Sequence, residues 1–370
     1  MGGRVKEQCG KTRWEEFPAI RAIRAAVGRL DHGWEDTACL QVKAGGHVLI
    51  SSDHMGAEHA YPGEDVRSLV RRGIFEAFSD LAASGAEPVG LQIDVRAPDD
   101  FTAGDFRAIG LAVDDALAVT GGLLLQGSNL SRGEFGVSST VLGVCDAGRG
   151  PLRRHGARPG DLIVVSGPFG GWDGALALLN AAAADRLTDE EWETLLAEFL
   201  DYRPELAVGA ALLSTGLVSA CLDCNDSLAK SLIDLSYACG HRVEIDLIHV
   251  PVAPSARYAE ALGIASLQRT VLSGIAGDDR LLFTVPPADA DEVSDAVFRR
   301  TGRRPVTVGR VTAQAGVGAV VRNRDGTDTH MRRDQPATVY LPGFSPGQRR
   351  LGLSAYPSAG RRFAPQRSAS

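Results

Sequence analysis

The sequence is poor in cysteine, has no long apolar run and carries no excess of basic residues, and each of these absences excludes a class of protein. Six cysteines in 370 residues are too few for a disulfide framework, so we expect a reduced, cytoplasmic protein. No apolar run approaches the ~18 residues of a membrane span. The net charge of −7 disfavours a nucleic-acid-binding protein, which normally carries a basic face. Residues 1–17 lack the apolar segment expected of a secretory signal.

Several familiar catalytic and nucleotide-binding motifs are also missing. The chain has no GxxxxGK(S/T) phosphate-binding loop, no Rossmann glycine fingerprint after a strand and no GxSxG nucleophile motif. Cys221 and Cys224 form a single CxxC without a second pair or a suitably spaced histidine, which disfavours both zinc and redox chemistry. A glycine-rich turn at residues 166–171 joins a predicted strand to a predicted helix. Its N–H groups could bind a phosphate or form an ordinary connection.

Apolar periodicity predicts helices and strands along most of the chain. The predicted helices are residues 14–30, 64–88, 101–119, 173–184 and 227–239. The predicted strands are residues 47–51, 89–95, 123–126, 137–145, 161–166, 220–223, 243–248, 281–285, 306–311 and 318–321. Mixed helices and strands in both halves predict an α/β (α+β) protein with two domains.

The composition also predicts where the domains end. A segment rich in Gly, Pro and Arg at residues 146–159 separates the two halves. We therefore expect an N-terminal mixed α/β domain at residues 14–148 and a C-terminal α/β domain at residues 149–322. Residues 323–370 are rich in Arg, Pro, Gly and Ser and are predicted to form a largely flexible tail.

The helix predicted at residues 64–88 is the central feature of the chain. Its apolar positions should pack on a core, whereas Asp80 lies near its C-terminal end. A carboxylate late in a helix is unfavourable with the helix dipole. A bound cation would explain this position, and a solvated surface carboxylate is the alternative.

Other acidic residues also stand at the ends of predicted elements. They are Glu35, Asp36, Asp53, Asp223 and Asp226. Oxygen ligands in loops suit Mg2+, which binds through a few carboxylates plus substrate phosphates. Ordinary turn formation is the alternative for each aspartate alone. His54 and His59 could meet an anionic substrate or lie at the surface.

Seven segments occur in the order in which one enzyme family carries its motifs. They are GWEDTACL, ISSDHMGAEHAYPG, FSDLAASGAEP, LLQGSNLSRG, RRHGARPGDLIVVSG, LDCNDSL and LLFTVP. In this order they resemble the motif series of thiamine-monophosphate kinase, a member of the aminoimidazole-ribotide-synthetase-like superfamily of ATP-using enzymes. The resemblance covers about residues 14–322, and SDLAASGAEP and GARPGDLIVVSG are its closest matches.

The resemblance implies a fold, ligands and site residues. The N-terminal domain would pair in a homodimer, and ATP with several Mg2+ ions would bind between the two domains. The implied metal ligands are Asp36, Asp53, Asp80, Asn129, Asp223 and Asp226. The implied ATP-contacting residues are Ser51, Ser52, Gly127, Asn129, Arg154 and Asn225. Asp80 and Asp226 are implied to be catalytic, and His59 is implied to contact the substrate.

The metal-binding half of the pattern departs from the family at few positions. Asn129 stands where the family has a metal-binding Asp. An amide oxygen can coordinate Mg2+ but adds no negative charge, so we expect weaker metal binding. Asn225 and Ser227 replace the serine and glycine of the family's DxSDG motif.

The substrate-binding half departs more. In residues 275–281, Gly277 falls where the family has a substrate-contacting Glu, and Arg280 reverses a charge. The family's C-terminal aromatic motif has no clear counterpart, and Tyr340 and Phe344 are the candidates to replace it. We therefore expect the phosphate and metal chemistry to be kept and the substrate contacts to differ.

These features predict an ATP- and Mg2+-dependent phosphotransferase that acts on thiamine phosphate or on another small phosphate ester. Phosphoryl transfer requires positioning and charge neutralisation, and no protein nucleophile is needed. Two alternatives remain open. One is a superfamily enzyme that phosphorylates an amide or carboxyl oxygen in small-molecule biosynthesis, and the other is a non-catalytic nucleotide-binding homologue.

Overall fold

Two β-sheets, one in each half of the chain, organise the fold. The residues that the computed structural model describes are 24, 35–42, 45–61, 64–146, 148, 150–201, 203–272, 278–314 and 316–332. All contacts given below lie within the described residues from Glu35 to Arg332, which belong to one compact unit. Both sheets pack against helices, which confirms the predicted α/β class.

The N-terminal sheet has five strands in the order β1-β2-β5-β3-β4. The strands are β1 (Ala38–Gln41), β2 (His47–Gly56), β3 (Glu87–Ala97), β4 (Leu123–Arg132) and β5 (Gly136–Cys145). Helices α1 (Val66–Ser84) and α2 (Ala103–Thr120) pack on one face through a shared apolar core. The parallel strands β3 and β4 are joined by α2, because a parallel pair requires a crossover connection.

The C-terminal sheet has seven strands in the order β12-β11-β8-β10-β6-β9-β7. The strands are β6 (Leu162–Val165), β7 (Ala220–Cys224), β8 (Arg242–Asp246), β9 (Arg280–Val285), β10 (Val306–Val311), β11 (Gly318–Arg322) and β12 (Asp328–Met331). The helices of this half are α3 (Gly171–Asn180), α4 (Asp189–Leu200), α5 (Leu206–Thr215), α6 (Leu228–Cys239), α7 (Pro254–Ala261), α8 (Leu267–Leu272) and α9 (Ala290–Thr301). Helices α6, α7 and α8 share one apolar core with the sheet, and α5 and α9 share another.

The central helix α1 begins and ends where local chemistry requires. The Asp65 side chain caps its first turn by accepting from Ser68 N–H at 2.7 Å. Gly85 ends it in the left-handed conformation, with φ of 71°, which glycine adopts without a Cβ penalty. The helix predicted at residues 64–88 is therefore confirmed, with bounds of Val66–Ser84.

Two segments are more ordered than their composition predicts. Strand β4 continues to Arg132, through residues expected to form a polar loop, because it pairs in parallel with β3. Strand β12 lies within the predicted tail and pairs antiparallel with β11. In both cases, backbone pairing with a neighbouring strand stabilises a stretch that has little apolar periodicity of its own.

Some predictions concern residues outside the described ranges. These are the helix at residues 14–30, of which Arg24 alone is described and is helical, and the positions of Gly277, Tyr340 and Phe344. Within the described ranges, no helix has both the length and the apolar character needed to cross a membrane.

Candidate active site

Three carboxylates from distant parts of the chain meet at one point. Asp36 precedes β1, Asp80 lies on α1 and Asp223 lies on β7. One oxygen atom of each lies within 4.8 Å of the others. A cation held by three oxygen ligands fits this spacing. The structure thus brings three of the six expected metal ligands together, and we call them the aspartate cluster.

Helix α1 carries Asp80 to this point because the helix belongs to the cores of both halves. Its Phe78 packs in the core of the five-stranded sheet. One turn later, Ala82 and Ala83 pack against α5 and against strands β7 and β9. Gly209 of α5 lies so close that a Cβ there would sit 1.9 Å from the Ala82 carbonyl oxygen. Small residues at this crossing therefore place Asp80 between the two sheets.

The segment that connects the two halves places the side chain of Arg154 beside the aspartate cluster. Leu152 N–H donates to the last carbonyl of α1 at 3.0 Å, and the Arg153 carbonyl accepts from Cys221 N–H of β7 at 2.8 Å. These bonds hold the next residue, Arg154, beside the cluster, where its Nε donates to Asp36 Oδ1 at 2.8 Å. The residue expected to contact ATP therefore lies beside the aspartate cluster and balances part of its charge.

The aspartate cluster carries more negative charge than its surroundings neutralise. Burial raises the pKa of Asp80 well above its usual value, and the charges of Asp223 and Asp36 raise it further. Burial and then Asp36 raise the pKa of Asp223 to about 7. The buried Oδ2 of Asp223 accepts no hydrogen bond from the part of the chain that the structure describes. A divalent cation would satisfy this atom and reduce the repulsion, so the residues present fit a magnesium site.

The two serines expected to contact ATP lie on opposite faces of β2. Ser51 faces α1, and its Oγ donates to Asp80 Oδ2. Ser52 faces away, and its hydroxyl is hydrogen-bonded to Thr140 at 2.8 Å. Successive side chains of a strand point to opposite faces. Ser51 alone of the two therefore reaches the aspartate cluster.

Asp53 and Asp226 lie close to each other beside this cluster. Burial is the main cause that raises the pKa of Asp53, and the Asp226 carboxylate acts in the same direction, whereas the His59 imidazole lowers it. Asp226 also pairs with Lys230 at 2.6 Å. Asn225 precedes Asp226 in the turn between β7 and α6. Three of the expected site residues, Asp53, Asp226 and His59, thus lie within electrostatic reach of one another.

The structure adds two carboxylates that the sequence did not indicate. The carboxyl group of Glu76 lies next to that of Asp53. Asp279 is only 1% exposed, and burial, followed by the charge of Asp223, raises its pKa well above the usual value. Glu76 precedes Asp80 by one helical turn, a spacing that places both on one side of α1 and could have identified Glu76. No comparable pattern marks Asp279.

Asn129 does not join the aspartate cluster, contrary to expectation. With Gly127 it lies on β4, at the edge of the sheet. It lies opposite Asp94 of β3, and its Nδ2 donates to Asp94 Oδ1 at 2.5 Å. Asp94 alternates with the buried Ile93 and Val95, so both polar side chains point away from α1. The parallel pairing of β3 and β4 thus directs Asn129 to the outer face of the sheet.

The glycine-rich turn at residues 166–171 already binds an anion from the chain itself. The carboxylate of Asp278 accepts from Gly170 N–H at 2.6 Å and from Trp172 N–H at 2.9 Å. These N–H groups belong to the start of α3, where a phosphate would otherwise be attracted. The possible phosphate site is therefore filled by a side chain.

Two other sequence features are explained by internal contacts. Arg280 donates from Nε to the Pro168 carbonyl at 3.2 Å and pairs with the buried Glu205 at 2.8 Å. These bonds join strand β9 to the turn after β6 and to the start of α5, so Arg280 has a structural role. Cys221 and Cys224 are fully buried on β7 and belong to different apolar cores. Residues three apart on a strand face opposite sides, which prevents the two thiols from sharing a metal.

Two family models match most of the chain. The model described as AIR synthase related protein, N-terminal domain, matches residues 34–145, and the C-terminal domain model matches residues 158–322. The chain is 30% identical over 333 residues to thiamine-monophosphate kinase of Escherichia coli K12, covering 89% of this chain and 94% of that protein. It is 29% identical over 324 residues to the Caulobacter vibrioides protein of the same name, covering 85% of this chain and 86% of that protein.

A solved structure shares the fold. The structure of AaThiL complexed with AMPPCP and TMP superimposes with a TM-score of 0.71 at 22% sequence identity. The match covers 86% of this chain and 95% of that chain. Both halves of the chain thus share the fold of that structure.

Proposed function

This chain belongs to the thiamine-monophosphate kinase family of AIR synthase related proteins, and we propose that it transfers the γ-phosphoryl group of ATP to thiamine phosphate, forming thiamine diphosphate and ADP. The observation that carries this proposal is the aspartate cluster of Asp36, Asp80 and Asp223 beside Arg154. It is supported by the name shared by the curated relatives and by the ligands of the related structure.

The proposed reaction is a direct transfer. A phosphate oxygen of thiamine phosphate attacks the γ-phosphorus, and the bond from that phosphorus to the ADP oxygen breaks. Such a transition state needs positioning and charge neutralisation. Mg2+, when bound, neutralises phosphate charge. Asp36, Asp80 and Asp223 are the residues that would hold it, with Asp53 and Asp226 beside them.

Arg154 and Ser51 support this assignment through their contacts with the aspartate cluster. The Arg154 guanidinium donates to Asp36. A guanidinium binds phosphate oxygens as well as carboxylates, so Arg154 can also bind the phosphates of ATP. Ser51 orients Asp80 through its hydrogen bond. Together they hold the carboxylates in place before any ligand binds, which favours fast phosphoryl transfer.

A direct product assay tests the proposal. The protein is incubated with ATP, Mg2+ and thiamine phosphate, and the products are separated by chromatography. Thiamine diphosphate and ADP in equal amounts support it. ADP formed only with an acceptor that carries an amide or carboxyl oxygen would favour the second enzyme class. Nucleotide binding without any product would favour a non-catalytic protein.

We propose further that two copies of the chain pair through the outer face of the five-stranded sheet. Leu40, Val144 and Leu123 lie on that face and are 58%, 38% and 70% exposed. Apolar side chains clustered on one exposed sheet face are typical of a protein interface. A twofold pairing would cover this face in both copies.

A cytoplasmic location is also proposed. The five described cysteines are all free thiols, which suits a reducing compartment.

A further inference from the structure

Glu76, Asp53 and Asp279 form a second acidic group next to the aspartate cluster. The Glu76 side chain is 20% exposed, and its carboxyl group lies next to that of Asp53. Asp279 lies close enough to Glu76 for their charges to interact. Its Oδ2 is buried and accepts no hydrogen bond within the described ranges of the chain. An acceptor that is buried without a donor requires a ligand to satisfy it.

The two arginines next to this group are shared with other acids. Arg72 makes two bonds to Glu64, from Nε at 3.0 Å and from Nη2 at 2.9 Å, whereas its closest approach to Glu76 is 3.4 Å. Arg280, the neighbour of Asp279 in the chain, is bonded to Glu205. The three carboxylates therefore have more negative charge than these two arginines neutralise, and a positively charged ligand would be attracted.

The spacing of the group favours an organic cation over a bare metal ion. Metal ligands must converge to ~2.0–2.6 Å from the ion. Among the described residues, the aspartate cluster meets the corresponding spacing, with oxygens within 4.8 Å of one another, and the second acidic group does not. A larger cation with spread charge can contact carboxylates that are further apart.

The second acidic group also lies on the side of the expected substrate residue. The His59 imidazole is close enough to lower the pKa of Asp53. The same short segment carries Tyr61, whose ring lies 4.6 Å from the Arg72 guanidinium. Arg154, by contrast, lies on the side of Asp36. Arg154, which is expected to contact ATP, therefore lies beside the aspartate cluster, whereas the segment that carries His59 lies beside the second acidic group.

We propose that Glu76 and Asp279, beside Asp53, bind the positively charged ring of the acceptor substrate. This inference rests on the proposed function, because thiamine phosphate carries a permanently positive thiazolium ring. The phosphate of the acceptor would then point toward the aspartate cluster while its ring lies against Glu76, with the buried Asp279 behind it. These two carboxylates determine specificity by charge and do not take part in the transfer itself.

Steady-state kinetics of Glu76→Gln and Asp279→Asn test the proposal. Both changes keep size and remove charge, and asparagine tolerates the left-handed backbone of Asp279, whose φ is 48°. Loss of one charged contact should raise KM for thiamine phosphate about tenfold, with KM for ATP and the Mg2+ dependence unchanged. Asp114→Asn, an exposed acid on α2, is the matched control and should leave all three parameters unchanged.

Two other outcomes would overturn the proposal. A rise in KM for ATP, or in the Mg2+ requirement, without a rise for thiamine phosphate would make Glu76 and Asp279 part of the metal site. If the unmodified protein forms no thiamine diphosphate, the proposed function fails, and calorimetry with thiamine, a cation without phosphate, decides the inference separately. Weaker thiamine binding by both variants supports it, whereas equal binding or no binding by the unmodified protein overturns it.

Discussion

The ionised carboxylate of Asp80 destabilises the metal-free protein. It lies beside Asp36 and Asp223, and its raised pKa shows that burial, followed by the charges of these two residues, disfavours its ionised form. Its hydrogen bond from Ser51 and the position of Arg154 offset only part of this cost. A residue that opposes folding in the absence of a ligand is expected where binding supplies the missing stabilisation.

Replacing Asp80 with asparagine should separate function from folding. We expect turnover of Asp80→Asn to fall by about two orders of magnitude or more, because a group that positions charge in the transition state is lost. The thermal midpoint of the metal-free protein should stay the same or rise, because the repulsion within the aspartate cluster decreases. Kinetics and thermal unfolding measure both effects, with Asp114→Asn as the control. Full activity in Asp80→Asn would show that the site lies elsewhere.

The stability of the metal-free protein should decrease with rising pH because of Asp223. Its pKa in the folded protein is about 7, against an ordinary value of 3.8. Between these values the folded chain holds a proton that the unfolded chain has released, so this contribution to stability is complete below the lower value and is lost as the pH rises through about 7.

Thermal unfolding of the metal-free protein and of Asp223→Asn between about pH 5 and 8 measures this contribution, with the change expected below about pH 7. We expect the difference in midpoint between them to shift in favour of Asp223→Asn as the pH rises. Added Mg2+ should stabilise the unmodified protein more at the higher pH, because protons compete with the metal for the carboxylate. A midpoint difference that does not change with pH would contradict this prediction.

At the scale of elements, helix α1 is the part that joins the two sheets. It contributes Phe78 to one core and Ala82 to the other. The close approach of Gly209 to Ala82 sets the distance between α1 and α5. Because α1 carries Asp80 and Glu76, this helix contact also sets the geometry of the site.

Adding a methyl group at the helix crossing should therefore damage both stability and activity. Gly209→Ala places its Cβ 1.9 Å from a carbonyl oxygen and should cost about 1–3 kcal/mol or more through overpacking. The control is Gly110→Ala on α2, where no atom lies within 4 Å of the added Cβ and where alanine should stabilise the helix by about 0.5–1 kcal/mol. Chemical denaturation measures the stability of both variants, and steady-state kinetics measures their activity. Equal stability of both variants would contradict the proposed role of the crossing.

At the scale of the whole molecule, the outer face of the five-stranded sheet determines the expected assembly. Leu123→Lys places a charge among the exposed apolar residues of that face and should convert a dimer to a monomer. Ile248→Lys, at a residue that is 63% exposed in the other half of the chain, should not. Sedimentation velocity distinguishes the two forms. A monomeric unmodified protein, or a dimer in both variants, would rule out this interface.

Much of the fold could be predicted from the sequence. Helix α1 has a regular apolar stripe, a capping Asp65 and a terminal Gly85, all of which are local signals. Strand β4 and strand β12 could not be predicted in the same way, because their order depends on pairing with β3 and β11. Local patterns carry no information about such partners, which are distant along the chain.

The sequence by itself determined which acids were candidates, because the order of the motifs around Asp36, Asp80 and Asp223 is a property of the chain alone. Only the tertiary structure decided which of them meet. Packing of α1 against α5 and β7 places Asp80 beside Asp223, and Arg154 holds Asp36 next to them. Strand pairing turns Asn129 to the opposite face, and the fold also brings Glu76 and Asp279 close to these acids. The physical reason is that a motif specifies residue type and spacing, whereas charge interacts through distance and burial, which only the folded chain sets.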